Sequence, residues 1–190
     1  MENDLAPIVL FVYNRPQHTR RLLESLRANP LSRKSILYVF ADGPRPTATA
    51  KEQEQIQAVR NLLQAVNWVK EIHIHESLDN LGLYKNVLYG IDQVLREYPK
   101  VIVLEDDLEL SPSFLAYMNQ ALVFYQDQSQ VMHINAFLPP MKKVPSEAFF
   151  SGLALVWGWA TWDRAWKVFR ADAKPLIEDI KREKRWGYFD

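Results

Sequence analysis

The sequence predicts an α/β fold in which one mostly parallel sheet carries helices on both faces. Three observations lead there. Short apolar runs of strand length alternate with longer segments whose apolar residues recur at helical spacing. The intervals between the runs are long enough for right-handed crossovers that each hold a helix. The first of the runs, IVLFVY, is continuously apolar, as a strand buried on both faces is. A chain of 190 residues suffices for one such domain with a sizeable core.

The elements follow in order. Ile8–Tyr13 (IVLFVY) reads as a buried parallel strand. Pro16–Ala28 reads as a helix with Pro16 in its first turn and Leu22, Leu23 and Leu26 on one face. Ile36–Ala41 is a second strand, and Pro44–Ala50 a flexible surface loop. Lys51–Asn67 is a helix with Ile56, Val59, Leu62, Leu63 and Val66 at helical spacing. Glu71–Glu76 is a third strand and Tyr84–Tyr98 a third helix, ended by Pro99. Val101–Glu105 is a fourth strand. Pro112–Asp127 is a fourth helix behind a Ser111 cap, and Val131–Asn135 a fifth strand. There the rhythm breaks. Pro139, Pro140 and Pro145 mark a long loop, followed by LALVWGWATWDRAW (Leu153–Trp166) and a charged helix from about Asp172 to Arg185. Five of the six tryptophans fall in this last portion, where packing in the core and stacking on a ring-shaped ligand compete as explanations.

Composition narrows the function. Twenty-three basic residues balance twenty-three acidic ones, which argues against a general nucleic-acid binder. The absence of cysteine excludes thiolate metal sites, disulfides and cysteine nucleophiles. Met1–Asp4 lacks the basic-then-apolar order of a secretory signal. No apolar run approaches the roughly 20 residues of a membrane span. A cytoplasmic setting is the default expectation, with peripheral membrane attachment left open.

Ligands of open parallel sheets bind beyond the carboxyl ends of the strands. Here those ends read Tyr13-Asn14-Arg15, then Asp42-Gly43, then Glu76 followed by Asp79-Asn80-Leu81-Gly82, then Glu105-Asp106-Asp107. The last of these sets three carboxylates side by side, so the fold needs a compensating cation or abundant water there. A hard divalent ion, Mg2+ or Mn2+, suits such a rim, bound through one or two carboxylates together with substrate phosphates. No GxGxxG follows the first strand, and no GxxxxGK[ST] occurs. A diphosphate would therefore depend on a metal and on Arg15, Arg45 and Lys85. The bland readings run alongside. The triplet competes with a solvated turn, Asp42 with an ordinary turn aspartate, and Arg15 with a solvated helix start. His73 and His75 read as strand histidines, and His18 carries no signal.

Five motifs occur in order: PIVLFVYNRP (Pro7–Pro16), ADGP (Ala41–Pro44), NLGL (Asn80–Leu83), LEDDL (Leu104–Leu108) and WGWATW (Trp157–Trp162). Together they resemble GT-A-fold glycosyltransferases. Within that fold they resemble bacterial sugar transferases related to family-two glycosyltransferases, in the variant where Glu-Asp-Asp replaces Asp-x-Asp. The chain is also similar to the animal N-acetylglucosaminyltransferases that extend N-glycans. The likeness covers nearly the whole chain.

The resemblance implies a single GT-A domain over residues 1–190, with a metal-assisted and inverting transfer. The sugar would pass from a nucleotide-sugar donor, a UDP-sugar in the first instance, to a hydroxyl of a saccharide or glycan acceptor. Asp107 would contact the metal. Glu105 and Asp106 would lie towards the sugar and ribose, with a water-mediated path from Asp106 to the metal as one option. Asp42 would recognise the base, Tyr13, Asn14 and Arg15 would line the nucleotide pocket, and Lys85 would sit near the diphosphate. Trp157, Gly158 and Trp159 would wall the donor-sugar and acceptor site. The base that deprotonates the acceptor would lie on a later stretch, beyond Asp190, which predicts a C-terminally truncated chain. Within the sequence only Asp163 and Asp190 are candidates, and Asp163 also reads as a helix cap. Two alternatives stay open: a nucleotidyltransferase that makes nucleotide sugars, and a non-catalytic carbohydrate-binding module on the same fold.

Overall fold

The structure, a computed structural model, describes residues 5–140 and 149–183. Its strands β1 (Ile8–Val12), β2 (Ile36–Ala41), β3 (Glu71–Glu76), β4 (Lys100–Glu105), β5 (Ile134–Asn135) and β6 (Trp159–Trp162) form one sheet in the order β3-β2-β1-β4-β6-β5. β1 pairs in parallel with β2 (Leu10 opposite Val39) and with β4 (Leu10 opposite Leu104), and β2 with β3. Only β6 runs antiparallel to its neighbours β4 and β5. The predicted mostly parallel sheet is therefore present.

Strand alternation sends Ile8, Leu10 and Val12 to one face and Val9 and Phe11 to the other. The first face packs on α1 (Pro16–Arg27), α2 (Ala50–Gln64) and α4 (Phe114–Phe124) through Leu22, Leu26, Leu63, Leu115 and Met118. The second packs on α3 (Leu83–Leu95) through Ile91, Val94 and Leu95. At the edge strand β3, His73 stacks on Tyr38 at 4.4 Å and His75 on Phe40 at 4.8 Å, so both are packed strand histidines.

Three expectations need correction. Ser111 does not cap α4 with its side chain. Pro112 and Ser113 form a turn, and the first helical N–H groups find other partners: Phe114 N–H donates to Ser111 O, and Leu115 N–H to the buried Asn29 Oδ1 at 3.0 Å. The fifth strand is only two residues long, because its upstream carbonyls are already claimed. Thr161 Oγ1 donates to Met132 O, and Arg164 donates to the carbonyls of Tyr125, Gln126, Gln128 and Val131 while lying over the Trp162 ring. WATW is a buried strand, β6, rather than a loop. The final helices are α5 (Asp163–Trp166) and α6 (Ala173–Arg182); Pro145 and the expected helix end at Arg185 lie outside the described residues. Among the described residues no helix is long and apolar enough to cross a membrane.

Gly90 brings α3 onto the sheet. A Cβ there would meet the Phe11 ring at 2.7 Å and the Phe40 ring at 2.9 Å, and both rings are buried and cannot swing away. Gly90→Ala is therefore expected to destabilise the fold by about 1–2 kcal/mol in urea unfolding. Overpacking costs about 1–3 kcal/mol, more than the roughly 1 kcal/mol that alanine gains in helix propensity. A more stable variant would show that α3 stands off the sheet.

Candidate functional site

The strand order reverses between β1 and β4: the chain steps from β1 to β2 to β3 on one side, then crosses back to lay β4 on the other. A crevice forms outside the carboxyl ends at such a switch point. Here a cleft of about 320 Å3 opens there, lined by Tyr13, Asn14 and Arg15 after β1, Asp42 and Arg45 after β2, and Glu105 and Asp106 at the end of β4. Tyr13, Asn14, Arg15, Asp42 and Asp106, each expected at the nucleotide, thus meet in one place, with Glu105 beside them.

The compensating cation of the acidic triplet is Arg15. Its Nη1 donates to Asp107 Oδ2 at 3.0 Å and lies 3.6 Å from Asp106 Oδ1. Burial pushes the Asp106 carboxyl above its usual range, and Asp107 adds to this; Arg15 and a backbone hydrogen bond at Tyr13 pull it back. Burial also raises the Glu105 carboxyl, with Asp107 and then Asp106 adding repulsion. Among the described residues, three carboxylates against the one guanidinium that pairs with them leave two surplus negative charges when all are ionised.

That surplus matches a divalent ion in charge. Among the described residues, however, no three His, Asp or Glu side chains converge as a ready-made cage. The rim therefore fits an ion held by one or two carboxylates and completed by a ligand's oxygens, the usual mode for Mg2+ at phosphates. Asp107, exposed and held only by Arg15 among the described residues, is the carboxylate most open to it.

Asp42 has a different employment from the expected base contact. Its Oδ1 accepts from the Gly43 and Leu81 N–H groups at 2.9 and 2.8 Å; its Oδ2 accepts from Gly82 N–H and Asn80 Nδ2 at 2.9 and 3.0 Å. A carboxylate has about four lone-pair sites, and all four are taken. Asp42 is thus a clasp that ties the end of β2 to the loop entering α3. Gly43 allows the closure, since a Cβ there would lie 2.6 Å from the Asp79 backbone. The ADG and NLG motifs form two halves of one joint.

Several other expected residues stand elsewhere. Lys85 is exposed in the first turn of α3 and does not line the cleft; the buried Asn86 beside it does, and no pattern in the sequence marked it. Trp157 is half-exposed and meets Phe137 edge to face at 4.7 Å. Gly158 turns the chain into β6 at φ +70°, over the Phe114 ring. Trp159 is not a wall residue: its ring is buried on the α3 face and stacks on His133 at 5.0 Å.

Asp163 cannot reach the cleft. Its neighbour Trp162 pairs with Lys100 at the start of β4, five residues before Glu105, which is about 16 Å along the strand. Nor does it cap: it is the first residue of α5 and pairs with Lys167 at 2.5 Å. It lines a separate cavity of about 640 Å3 with Asp92, Arg96 and Trp166 at the opposite pole. Asp190 lies outside the described residues.

Residues 1–165 match the GNT-I family. No curated protein matches the chain in sequence. Among solved structures, the mannosyltransferase PcManGT from Pyrobaculum calidifontis, in complex with GDP-Man and Mn2+, is similar over 84% of this chain and 47% of its own, at 15% identity and a TM-score of 0.54. S. aureus TarS 1–349 is similar over the same shares, at 15% identity and a TM-score of 0.50. Likeness at this identity shows the fold, a GT-A-type glycosyltransferase fold, and the chain spans about half the length of either structure.

Two outcomes follow. Asp42→Asn keeps the shape but turns an amide NH2 towards N–H donors. It is expected to lower the unfolding free energy by about 2–4 kcal/mol, since each orphaned buried donor costs about 1–3 kcal/mol, and to speed hydrogen exchange at Leu81 and Gly82. Unchanged stability and exchange would show that the clasp is idle.

Burial holds the His133 imidazole below its usual pKa of about 6.5, against the pull of the Leu155 carbonyl that it meets at 2.8 Å. Below that pH the unfolded chain binds a proton that the folded chain refuses. The contribution of His133 is therefore full above pH 6.5 and lost as the pH falls beneath it. His133→Gln should flatten the fall in unfolding free energy between about pH 7 and 5.5; a parallel pair of curves would refute this.

Proposed function

This chain belongs to the GNT-I family, and from that premise we propose that it moves a sugar from a nucleoside diphosphate donor to a hydroxyl of a saccharide acceptor. A UDP-sugar is the preferred donor, carrying a hexosyl or N-acetylhexosaminyl group, and the transfer inverts the anomeric centre. The observation that carries this reading is the meeting of the acidic rim, Arg15 and the nucleotide-sized cleft at the switch between β1 and β4.

The cleft supports a nucleotide in three ways. The Tyr13 hydroxyl is buried with no hydrogen-bond partner among the described residues, leaving a bond for a ligand to make. Arg45 lies 6.0 Å from the centroid of the Tyr13 ring and adds a second positive group. The clasp at Asp42 fixes the loop on the far wall before any ligand arrives, so less ordering cost falls on binding.

Asp107 would hold a divalent ion, Mn2+ or Mg2+, and the bound ion supplies Lewis-acid stabilisation of the charge that builds on the leaving diphosphate. Arg15 and Arg45 add fixed positive charge on the same side, effective because it is placed before the charge develops. Glu105 and Asp106, at the end of β4, face the sugar and ribose. The proton of the attacking hydroxyl passes to a carboxylate within hydrogen-bond reach; the resemblance sets that group on a stretch after Trp162, and Asp163 stands too far from the cleft to be it.

Calorimetry with UDP, with and without Mn2+, tests the reading, with GDP as the comparison. UDP is expected to bind only with the metal present. Asp107→Asn should weaken that binding at least about tenfold yet change unfolding free energy by less than about 1 kcal/mol, because the pair it breaks is exposed. Equal UDP binding by Asp107→Asn and the parent would move the metal elsewhere.

A further inference from the structure

We propose that Arg15 is the resident counter-ion of the acidic rim, one that a divalent cation displaces from Asp107 and that then turns to the nucleotide diphosphate. The inference rests on the metal-assisted reading above and goes beyond it by giving one side chain two successive partners.

The backbone and the side chain of Arg15 behave differently. Its carbonyl accepts from both the N–H and the hydroxyl of Thr19, each at 3.0 Å, and Pro16 follows it at the start of α1. The backbone is pinned. The side chain is 54% exposed and ends on the exposed Asp107. A long stem on a fixed root lets the guanidinium change partners by rotamer alone, on the ps–ns scale of exposed side chains.

Charge sets the order of events. With the rim to itself, Arg15 offsets one of three carboxylates' worth of charge and occupies the Asp107 oxygen that an incoming ion would use. A guanidinium and a divalent cation on one carboxylate repel each other, so each weakens the other's hold on Asp107. An ion on Asp107 therefore releases Arg15, which stays in the lining of the cleft. The planar fork of arginine suits a diphosphate better than a point charge does. The same side chain thus opposes the bare metal and favours the metal together with nucleotide.

The test is Mn2+ binding to the full chain, read from the EPR signal of free aquo-Mn2+, for the parent, Arg15→Gln, Arg15→Lys and Asp107→Asn, each without nucleotide and with UDP. Without nucleotide, Arg15→Gln is expected to bind Mn2+ about 3- to 10-fold tighter than the parent, since an exposed competing pair is removed. Arg15→Lys, which keeps the competing charge, should stay within about twofold of the parent. With saturating Mn2+, Arg15→Gln should bind UDP about tenfold more weakly, the loss expected for a charge-assisted hydrogen bond. Bare-Mn2+ affinity that is unchanged or weaker in Arg15→Gln, while Asp107→Asn abolishes it, overturns the role given to Arg15 and leaves the metal site standing. Mn2+ binding by none of the four, with or without UDP, overturns both. A parent that binds no bare Mn2+ beside an Arg15→Gln variant that does supports the proposal.

Discussion

The parallel pairing of β1 between β2 and β4 is the constraint on which the rest depends. It sets Val12 level with Ala41 and Phe11 level with Glu105. The residues that leave these strands, Tyr13 to Arg15, Asp42 and Asp106 to Asp107, therefore emerge side by side although up to 94 positions separate them in the chain. A shift of one residue at either pairing would turn each buried side chain to the wrong face. Because β1 is buried on both faces, each of its side chains is fitted to close-packed neighbours, and a slip would lose that fit. The register that secures the core is the register that assembles the rim.

Within that frame the polar residues divide into two kinds. Asp42 spends all of its acceptor capacity on its own protein, and so builds. Asp106 and Asp107 share one guanidinium and leave negative charge unbalanced, and so wait for something. Both kinds are short acidic motifs at strand ends and look alike as text. What separates them is the count of donors around each oxygen. A saturated carboxylate holds a loop in place, whereas an undersupplied one keeps capacity for a cation.

The parts of the structure legible in the sequence were those fixed by periodicity. β1 to β4 and α1 to α3 declare themselves through alternation and helical spacing, and the rule that ligands sit beyond carboxyl ends then picks out Tyr13, Arg15, Glu105 and Asp106. The parts that escaped depend on contacts between distant segments. The donors to Asp42 come from Leu81 and Gly82, which spacing does not reveal. β6 is four residues long and buried throughout, so it shows no alternation. β5 is cut short by Arg164, thirty residues further on, which takes the carbonyls a ladder would have used. Asp163 lies at the far pole because β6 runs against β4, a direction the sequence does not reveal, whereas Trp159 points into the core because it falls on the α3 face of its strand.

The incomplete coordination at the rim is itself informative about order of binding. A site that lacks a converged cage holds a bare ion weakly, and a cleft rimmed by surplus carboxylates repels a bare diphosphate. Were an ion and a diphosphate to bind as proposed, each would remove the obstacle to the other, because the ion would cancel the rim's charge and the phosphate oxygens would complete the ion's shell. Linkage then requires that metal and nucleotide strengthen each other's binding by the same factor. A protein that held either one tightly by itself would give up this coupling, and with it the discrimination between a charged donor and any other occupant of the cleft. The spare negative charge at Glu105, Asp106 and Asp107, which costs the apo-protein some stability, is on this view what makes the cleft selective for a metal-bound diphosphate.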